Sequence, residues 1–310
     1  MVENTLGDGE SASSLVIKSF NVNGLGNVKK RNEIFKFMNK KGGDIYVLID
    51  TRFSKQTENR IKTEWGSQVF FSSFTSQSRG VAIFFKRYIC VEVLKEKSDE
   101  HGNLLSLLLK FDGETFLLSG LYGPNEDNAQ FYREQVFELI DVWEPNYAVF
   151  TGDWNLVLDQ NMDTKNYLHE NNLNSRNEVK NKMENFSLID VWRELNPDSK
   201  RYSWIGKSSN PKKYARLDFI LITNSLLPFI SKANIEAGIL SDHSVTSIEI
   251  HFRKFKRGRG FWKFNNSLLK DKDYISLVKQ SIKEIAKEYA ENEFSEEFID
   301  NATPSQIQLI

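Results

Sequence analysis

Cysteine is almost missing from the chain: Cys90 is the only one among 310 residues. No intrachain disulfide can form, which excludes a small secreted scaffold held by disulfides and points to a reducing compartment. Long apolar runs are missing too, since no stretch approaches the roughly eighteen uninterrupted apolar residues of a membrane span. The opening MVENTLGDGESASS is acidic and polar where a signal peptide is basic and then apolar. Neither membrane insertion nor secretion is expected. A large net charge is also absent, with 41 Lys+Arg against 42 Asp+Glu, so partners must be sought in local charge. The segment RKFKRGRGFWK (253–263) supplies it, carrying Arg253, Lys254, Lys256, Arg257, Arg259 and Lys263 with interleaved aromatics and no acid. Such a run suits a phosphate backbone, and equally a solvated linker.

With 27% charged and 40% apolar residues, the composition is that of a globular protein long enough to bury a sizeable core. Residues 1–13 show no apolar period and read as a disordered leader. From Leu15 onward β-type runs recur: LVIKSFNV, DIYVLID, QVFFSSF, GVAIFF, LLSLLLKF, TFLLSGLY, YAVFTGD, RLDFILI and VTSIEIHF. The DGE turn after Phe111 predicts a hairpin, hence antiparallel pairing. Helical period appears over 28–40, 128–143 and 176–189, so helices cover sheets in an α/β (α+β) layered sandwich. The pattern divides into a catalytic-type domain at 14–252, a basic linker at 253–265 and a helical segment at 266–310. That segment reads as the truncated start of a downstream region, because ATPSQIQLI stops without a cap or polar tail.

Polar residues interrupt the strand ends where period gives them no reason to be. Asp218 stands inside the apolar run RLDFILI, where an unpaired carboxylate would cost several kcal/mol. His243, in SDH (241–243), is its natural partner, because a carboxylate on one imidazole nitrogen fixes the tautomer and stabilises the imidazolium. GDWN (152–155) sets Asp153 and Asn155 at another strand end, FNVNG (20–24) sets Asn21 and Asn23, LIDT (48–51) sets Asp50, and LYGPN (121–125) sets Tyr122 and Asn125. Singly, each is ordinary turn chemistry. Together they bring carboxylates that can share a hard divalent cation, an Asp–His pair that can activate water, and amides and a phenol that can hold phosphate oxygens. Metal-assisted phosphoester hydrolysis is the chemistry they suit.

The ordered series N-x-N-G, D-T, Y-x-P-N, G-D-x-N, R-x-D and S-D-H resembles the endonuclease/exonuclease/phosphatase superfamily over residues 15–252. The resemblance implies a DNase I-like four-layered sandwich, two packed, mainly antiparallel sheets flanked by helices, and Mg2+-dependent hydrolysis with Mn2+ as a possible substitute. Carried over, Asn21, Asp50 and Asp242 are the metal-side residues, Asp153 and Asn155 position the nucleophile, and Tyr122 and Asn125 contact phosphate. Asp218 and His243 are the catalytic Asp–His pair, and Asn23 and Ser241 complete the phosphate-binding set. Two positions depart from the pattern: Asp50 stands where Glu is usual, one methylene shorter, and Asn23 stands where many members have Asp.

The string GRGFWKFNNSLLKDKDYI (258–275) is similar to the connector that follows the endonuclease domain in non-LTR, LINE-type retrotransposons and leads to a reverse transcriptase. Ala215, in place of a bulky aromatic before R-x-D, argues against an abasic-site specialist. By the same resemblance, the segment 202–219 forms a hairpin loop that reads DNA shape through Lys207, Lys212 and Lys213, and Ser203 contacts the backbone. The activity the resemblance implies is nicking of one DNA strand to leave a 5′-phosphate and a 3′-hydroxyl, the 3′-hydroxyl priming reverse transcription. The expected partners are DNA and, through the downstream region, the element's RNA, with no membrane and no obligate protein partner. The implied location is nuclear after cytoplasmic synthesis. The alternatives are a phosphatase of small or lipid phosphates and a DNA-targeting module whose metal side Asp50 has weakened.

Overall fold

The computed structural model describes residues 14–89, 91–111, 113–167, 172–206, 210–251 and 271–289. These fall in two compact units that divide at Gly260. In the first, the order is β1 (Ser14–Asn21), α1 (Val28–Lys40), β2 (Ile45–Ile49), α2 (Glu58–Trp65), β3 (Val69–Ser72), β4 (Val81–Phe85), β5 (Glu92–Ser98), β6 (Leu104–Phe111) and β7 (Glu114–Tyr122). A π-helical segment (Phe131–Phe137) runs into α3 (Glu138–Trp143), followed by β8 (Tyr147–Asp153), α4 (Gln160–Asp163), β9 (Thr164–Lys165) and α5 (Leu173–Asn185). The unit ends with β10 (Leu188–Asp190), α6 (Val191–Leu195), β11 (Trp204–Ile205), β12 (Tyr214–Ala215), β13 (Asp218–Thr223), β14 (Ile230–Glu236) and β15 (Val245–His251). The second unit contributes α7 (Lys272–Tyr289), an amphipathic helix whose first turn is capped by Asp271, which accepts from the N–H groups of Asp273 and Tyr274.

Two six-stranded sheets, ordered β14-β15-β1-β2-β4-β3 and β10-β13-β8-β7-β6-β5, stack face to face. Pairing is antiparallel except for one parallel neighbour in each sheet, β1 with β2 and β7 with β8. Period-two alternation explains the stacking. Leu15 and Ile17, Val47 and Ile49, Ile83, Leu105 and Leu107, Leu118, Val149 and Ile220 turn inward into one core. Each fully buried aliphatic side chain contributes about 1.5–3 kcal/mol. The opposite faces bury Tyr46, Leu48 and Phe84 under Ile34, Phe35 and Met38 of α1 and Ile61 of α2, and Leu117, Phe150 and Phe219 under Phe131, Phe137, Leu139 and Val179. Helix, sheet, sheet, helix makes the four-layered sandwich. Close approach of the sheets requires Gly120, where a Cβ would lie 2.4 Å from Val47 Cγ1.

The nine predicted strands are present and the hairpin after Phe111 is tight, with Phe111 opposite Glu114. The helix expected over 176–189 is α5, ending at Asn185 and giving way to β10. The leader, Cys90, the basic run and the chain after Tyr289 lie outside the described residues. No helix among those described is long and apolar enough to cross a membrane.

Candidate active site

The inward alternation that fills the core ends in polar residues at one rim of the sandwich. Tyr122, Asp153 and Asp218 are opposite one another across β7, β8 and β13, so three strand ends deliver a phenol and two carboxylates to one row. From the other sheet, Asn21 ends β1 and its Nδ2 donates to Asp153 Oδ2 at 2.8 Å. Gly152 permits this strand end, since its φ of +149° and a Cβ that would meet Leu121 O at 1.9 Å exclude any side chain. Trp154 then turns away into the core, stacked on Phe219 at 4.6 Å with its Nε1 donating to Phe219 O. Asn155 follows in left-handed backbone, φ 51°, which Asn tolerates. Its N–H donates to Asp153 Oδ1 at 3.0 Å and its Nδ2 to Gly123 O at 2.6 Å.

His243 enters on the loop before β15. Its Nδ1 and Asp218 Oδ2 are 2.8 Å apart, and its Nε2 lies 3.8 Å from Asp153 Oδ2. Burial opposes charge on the imidazole, but Asp218 and then Asp153 overcome it and raise its pKa to about 9. Asp153 is raised to about 6 by burial and by Asp218, against the lowering pull of His243. The resting site therefore holds an imidazolium beside carboxylates, with Asp153 as the better base. That changes the roles expected of the pair: His243 carries a proton rather than waiting to accept one. Burial, with Asp153 and Asp50, raises the Tyr122 phenol to about 12 even though the side chains of Asn155 and Asn125 hydrogen-bond it. It remains a hydroxyl and a donor.

Ligand atoms of Asp153, Asp218 and His243 lie within 4.8 Å of one another, a set that could hold a metal ion. The Asp218 bond and the raised imidazole pKa suit proton handling better, because a ligating imidazole must be neutral. Hard oxygens converge elsewhere. Asp50 Oδ2 and Asn23 Oδ1 both face Arg52 Nη2, at 2.7 and 2.9 Å. Asn23 Nδ2 donates to Asp242 Oδ1 at 3.0 Å, and the Asn23 N–H to Asn21 Oδ1 at 3.0 Å. The donor chemistry fits a hard divalent cation, with Asp50 and Asn23 on the Arg52 guanidinium and Asn21 and Asp242 bonded to Asn23, so that Asn23, expected among the phosphate contacts, falls on the metal side.

Other expected contacts are placed differently. Ser203 is fully buried, and its Oγ accepts from the N–H groups of Leu217 and Asp218 at 3.0 and 2.8 Å. It fixes the start of β13 and is not placed to meet a DNA backbone. Ser241 Oγ donates to Asn21 O at 2.7 Å and accepts from the His243 N–H at 3.2 Å, so it ties the loop before β15 to the end of β1, its neighbour in the same sheet, and its proton is taken by that carbonyl rather than offered to phosphate. Lys212 and Lys213 stand on the hairpin β11–β12, and Lys207 lies outside the described residues. The hairpin is tied to the site through backbone bonds, Ile205 N–H to Asp242 O at 3.2 Å and Ser244 N–H to Ser203 O at 2.7 Å. A cleft of about 620 Å³ opens beside Tyr122 and Asn125, bounded also by Arg79, His101, Asn103 and Glu134.

Two features had no signal in sequence period. Arg52 is one. The other is Arg216 of R-x-D, which is buried and bonds Asp163 Oδ1 and Oδ2 at 2.8 and 2.9 Å and Asp190 at 2.6 Å. Arg193 adds a further bond to Asp163 at 2.8 Å. Arg216 thereby ties α4, β10 and the start of β13 two residues before Asp218. The spacing R-x-D carries the cue, because alternation turns both side chains of an i, i+2 pair to one face.

Residues 19–243 match the Endonuclease/Exonuclease/phosphatase family, and the chain belongs to it: a hydrolase family of nucleases and phosphatases. A Transposon TX1 uncharacterized 149 kDa protein of Xenopus laevis is 27% identical over 273 residues, 86% of this chain and 20% of that protein. The chain thus spans about a fifth of that relative. An exodeoxyribonuclease of Bacillus subtilis is 22% identical over 75% of this chain and 98% of its own. Among solved structures, the AP endonuclease LMAP from Leishmania major superposes with a TM-score of 0.64 at 17% identity, over 77% of this chain and 88% of its own. A 3′-5′ exonuclease from Neisseria meningitidis gives 0.61 at 18% identity, over 77% and 100%. The DNase I-like sandwich is the shared fold, and the transposon relative agrees with the retrotransposon resemblance of the sequence.

Proposed function

We propose that the chain is a Mg2+-dependent DNA endonuclease that nicks one strand, leaving a 3′-hydroxyl and a 5′-phosphate, in a retrotransposon that uses the 3′-hydroxyl to prime reverse transcription. The observation that carries it is the meeting of Asp153 with His243 and Asp218 at the rim, bridged by Asn21 from the opposite sheet. Asp153, with its pKa raised towards neutrality, takes a proton from the attacking water as that oxygen bonds to phosphorus and the P–O3′ bond breaks, and the departing 3′-oxygen takes a proton from solvent to become the 3′-hydroxyl. Asn21 and the Asn155 N–H hold the two oxygens of Asp153 in place. The His243 imidazolium, kept in register by Asp218, faces the same space and offers Nε2–H to a phosphoryl oxygen whose charge grows in the transition state. The Tyr122 hydroxyl and the Asn125 amide supply further donors. Asp50, Asn23, Asn21 and Asp242 would hold the Mg2+ ion, which when bound neutralises phosphate charge and polarises the phosphoester.

DNA is the proposed substrate because the hairpin bearing Lys212 and Lys213 is fastened to the Asp242–His243 loop, where it would lie alongside a bound duplex. Residues 14–252 would form the endonuclease, 253–265 the linker, and 266–310 the opening of a region that meets the element's RNA. Nuclear action follows from that role. Incubation with supercoiled plasmid tests the proposal: open-circle product with Mg2+ and none with chelator is expected. Release of inorganic phosphate from phosphoinositides without plasmid nicking would replace it with the phosphatase alternative.

A further inference from the structure

We propose that Arg52 is a tethered cation: its guanidinium fills the cation position between Asp50 and Asn23 and must be displaced before a divalent ion can bind. The inference rests on that part of the site being the cation-binding side, and goes beyond it by naming the group that controls access. Asp50 Oδ2 and Asn23 Oδ1, from different loops, converge on the single atom Arg52 Nη2 at 2.7 and 2.9 Å, while Nε reaches Asp50 Oδ1 at 3.3 Å. A divalent ion would need those same oxygens.

The backbone builds this arrangement. Asp50 and Arg52 both adopt left-handed conformations, φ 52° and 54°, uncommon for such residues and held by bonds from Thr51 N–H to Gly80 O at 3.0 Å and from Arg52 N–H to Arg79 O at 2.8 Å. Asp50 is only 6% exposed, and a carboxylate so placed requires compensation by some cation. Arg52 supplies it and, with its side chain 35% exposed, has an open path to swing towards solvent.

Both departures from the family pattern suit the arrangement. The shorter Asp50 leaves room for a guanidinium in the cation position. Asn23 accepts from Arg52 at Oδ1 and donates to Asp242 at Nδ2, a pair of roles that a carboxylate at position 23 could not fill. Of the charges here, Asp50 and Asp242 are negative, and Arg52 and Lys30, whose Nζ donates to Asn23 O at 2.7 Å, are positive. Arg52→Gln therefore turns a balanced cluster into one with a net negative charge to offer an incoming ion.

Mn2+ titration of the full chain without DNA, read by electron paramagnetic resonance, tests the proposal. Arg52→Gln should lower the Mn2+ Kd about ten-fold or more at low ionic strength, with Arg52→Lys between it and the parent. Asp50→Asn should weaken binding in both backgrounds. Arg52→Gln should also melt lower than the parent in chelator and regain more than the parent on adding Mn2+, a rescue that loss of packing alone would not give. A folded Arg52→Gln protein that binds Mn2+ no more tightly than the parent overturns the proposal, as does Mn2+ binding indifferent to Asp50→Asn. Plasmid nicking is scored separately. A parent that nicks while Arg52→Gln leaves Kd unchanged refutes the tethered cation alone, whereas Arg52-controlled Mn2+ binding without any nicking refutes the nuclease.

Discussion

Replacing Asp218 with Asn keeps the shape of the group beside His243 Nδ1 and removes its charge. Asp218 is the leading cause of the raised imidazole pKa and, after burial, of the raised Asp153 pKa. Both should therefore fall. His243 stands at about 9 against an ordinary value of 6.5, a difference worth roughly 3 kcal/mol at about 1.4 kcal/mol per pKa unit. If the parent's kcat/KM depends on ionised Asp153 and protonated His243, it should rise with pH through about 6 and decline through about 9. In Asp218→Asn both limbs should move to lower pH, so that at pH 7.5 a smaller fraction of the imidazole is protonated than in the parent. Stability should follow with a definite sign. A His pKa raised by folding stabilises fully below about 6.5 and loses that contribution as pH rises through about 9. Asp153, also raised, makes its contribution below its ordinary 3.8 and loses it by about 6. The parent's His243-derived advantage over Asp218→Asn should thus be largest in mild acid and vanish above about pH 9. Nicking rates on a labelled duplex from about pH 5 to pH 10, with melting curves over the same range, measure both. An alkaline limb unmoved in Asp218→Asn, or limbs that move in opposite directions, would refute the reasoning.

Arg216→Met should cost about 3–5 kcal/mol in chemical denaturation, because Asp190 would be left buried without its guanidinium and Asp163 with Arg193 alone; a loss under about 1 kcal/mol would show that the network is dispensable. Asp50→Glu should nick at least as well as the parent at low Mg2+ and Asp50→Ala should not, as a Mg2+ titration of nicking will show. Exchanging residues 206–214 for a Gly/Ser linker should redistribute nicks along a plasmid and flatten the salt dependence while reducing total activity less than His243→Ala does. An unchanged base-resolution nick map would remove the hairpin from target choice.

Much of the site could be read from sequence because its residues break the alternation of otherwise apolar strands. Asp153, Asp218 and Asn21 are polar where period two predicts inward-facing side chains, and the fold brings those strand ends to one rim. The parts that escaped notice lack such a contrast. β5 and β14 are edge strands, charged and partly exposed, and charged edges carry no clean alternation. Strands β9, β11 and β12 are two residues each, too short to show any period. Arg216 acts through partners fixed only by the fold, such as Asp163, 53 residues away in the chain, and Arg52 joins its neighbour Asp50 to Asn23, 29 residues away. Ser203 and Ser241 carried the right residue type for phosphate contact, but loop geometry turned both hydroxyls to the backbone.

The central claim is that Asp153 and His243, 3.8 Å apart between the two sheets, form the hydrolytic centre. Single-turnover nicking of an end-labelled duplex, comparing the parent with folded Asp153→Asn and His243→Ala, tests it most directly. The account predicts product ends bearing 3′-hydroxyl and 5′-phosphate, and a rate reduced by about a hundred-fold or more in each variant. Nicking at the parental rate by either variant would contradict it.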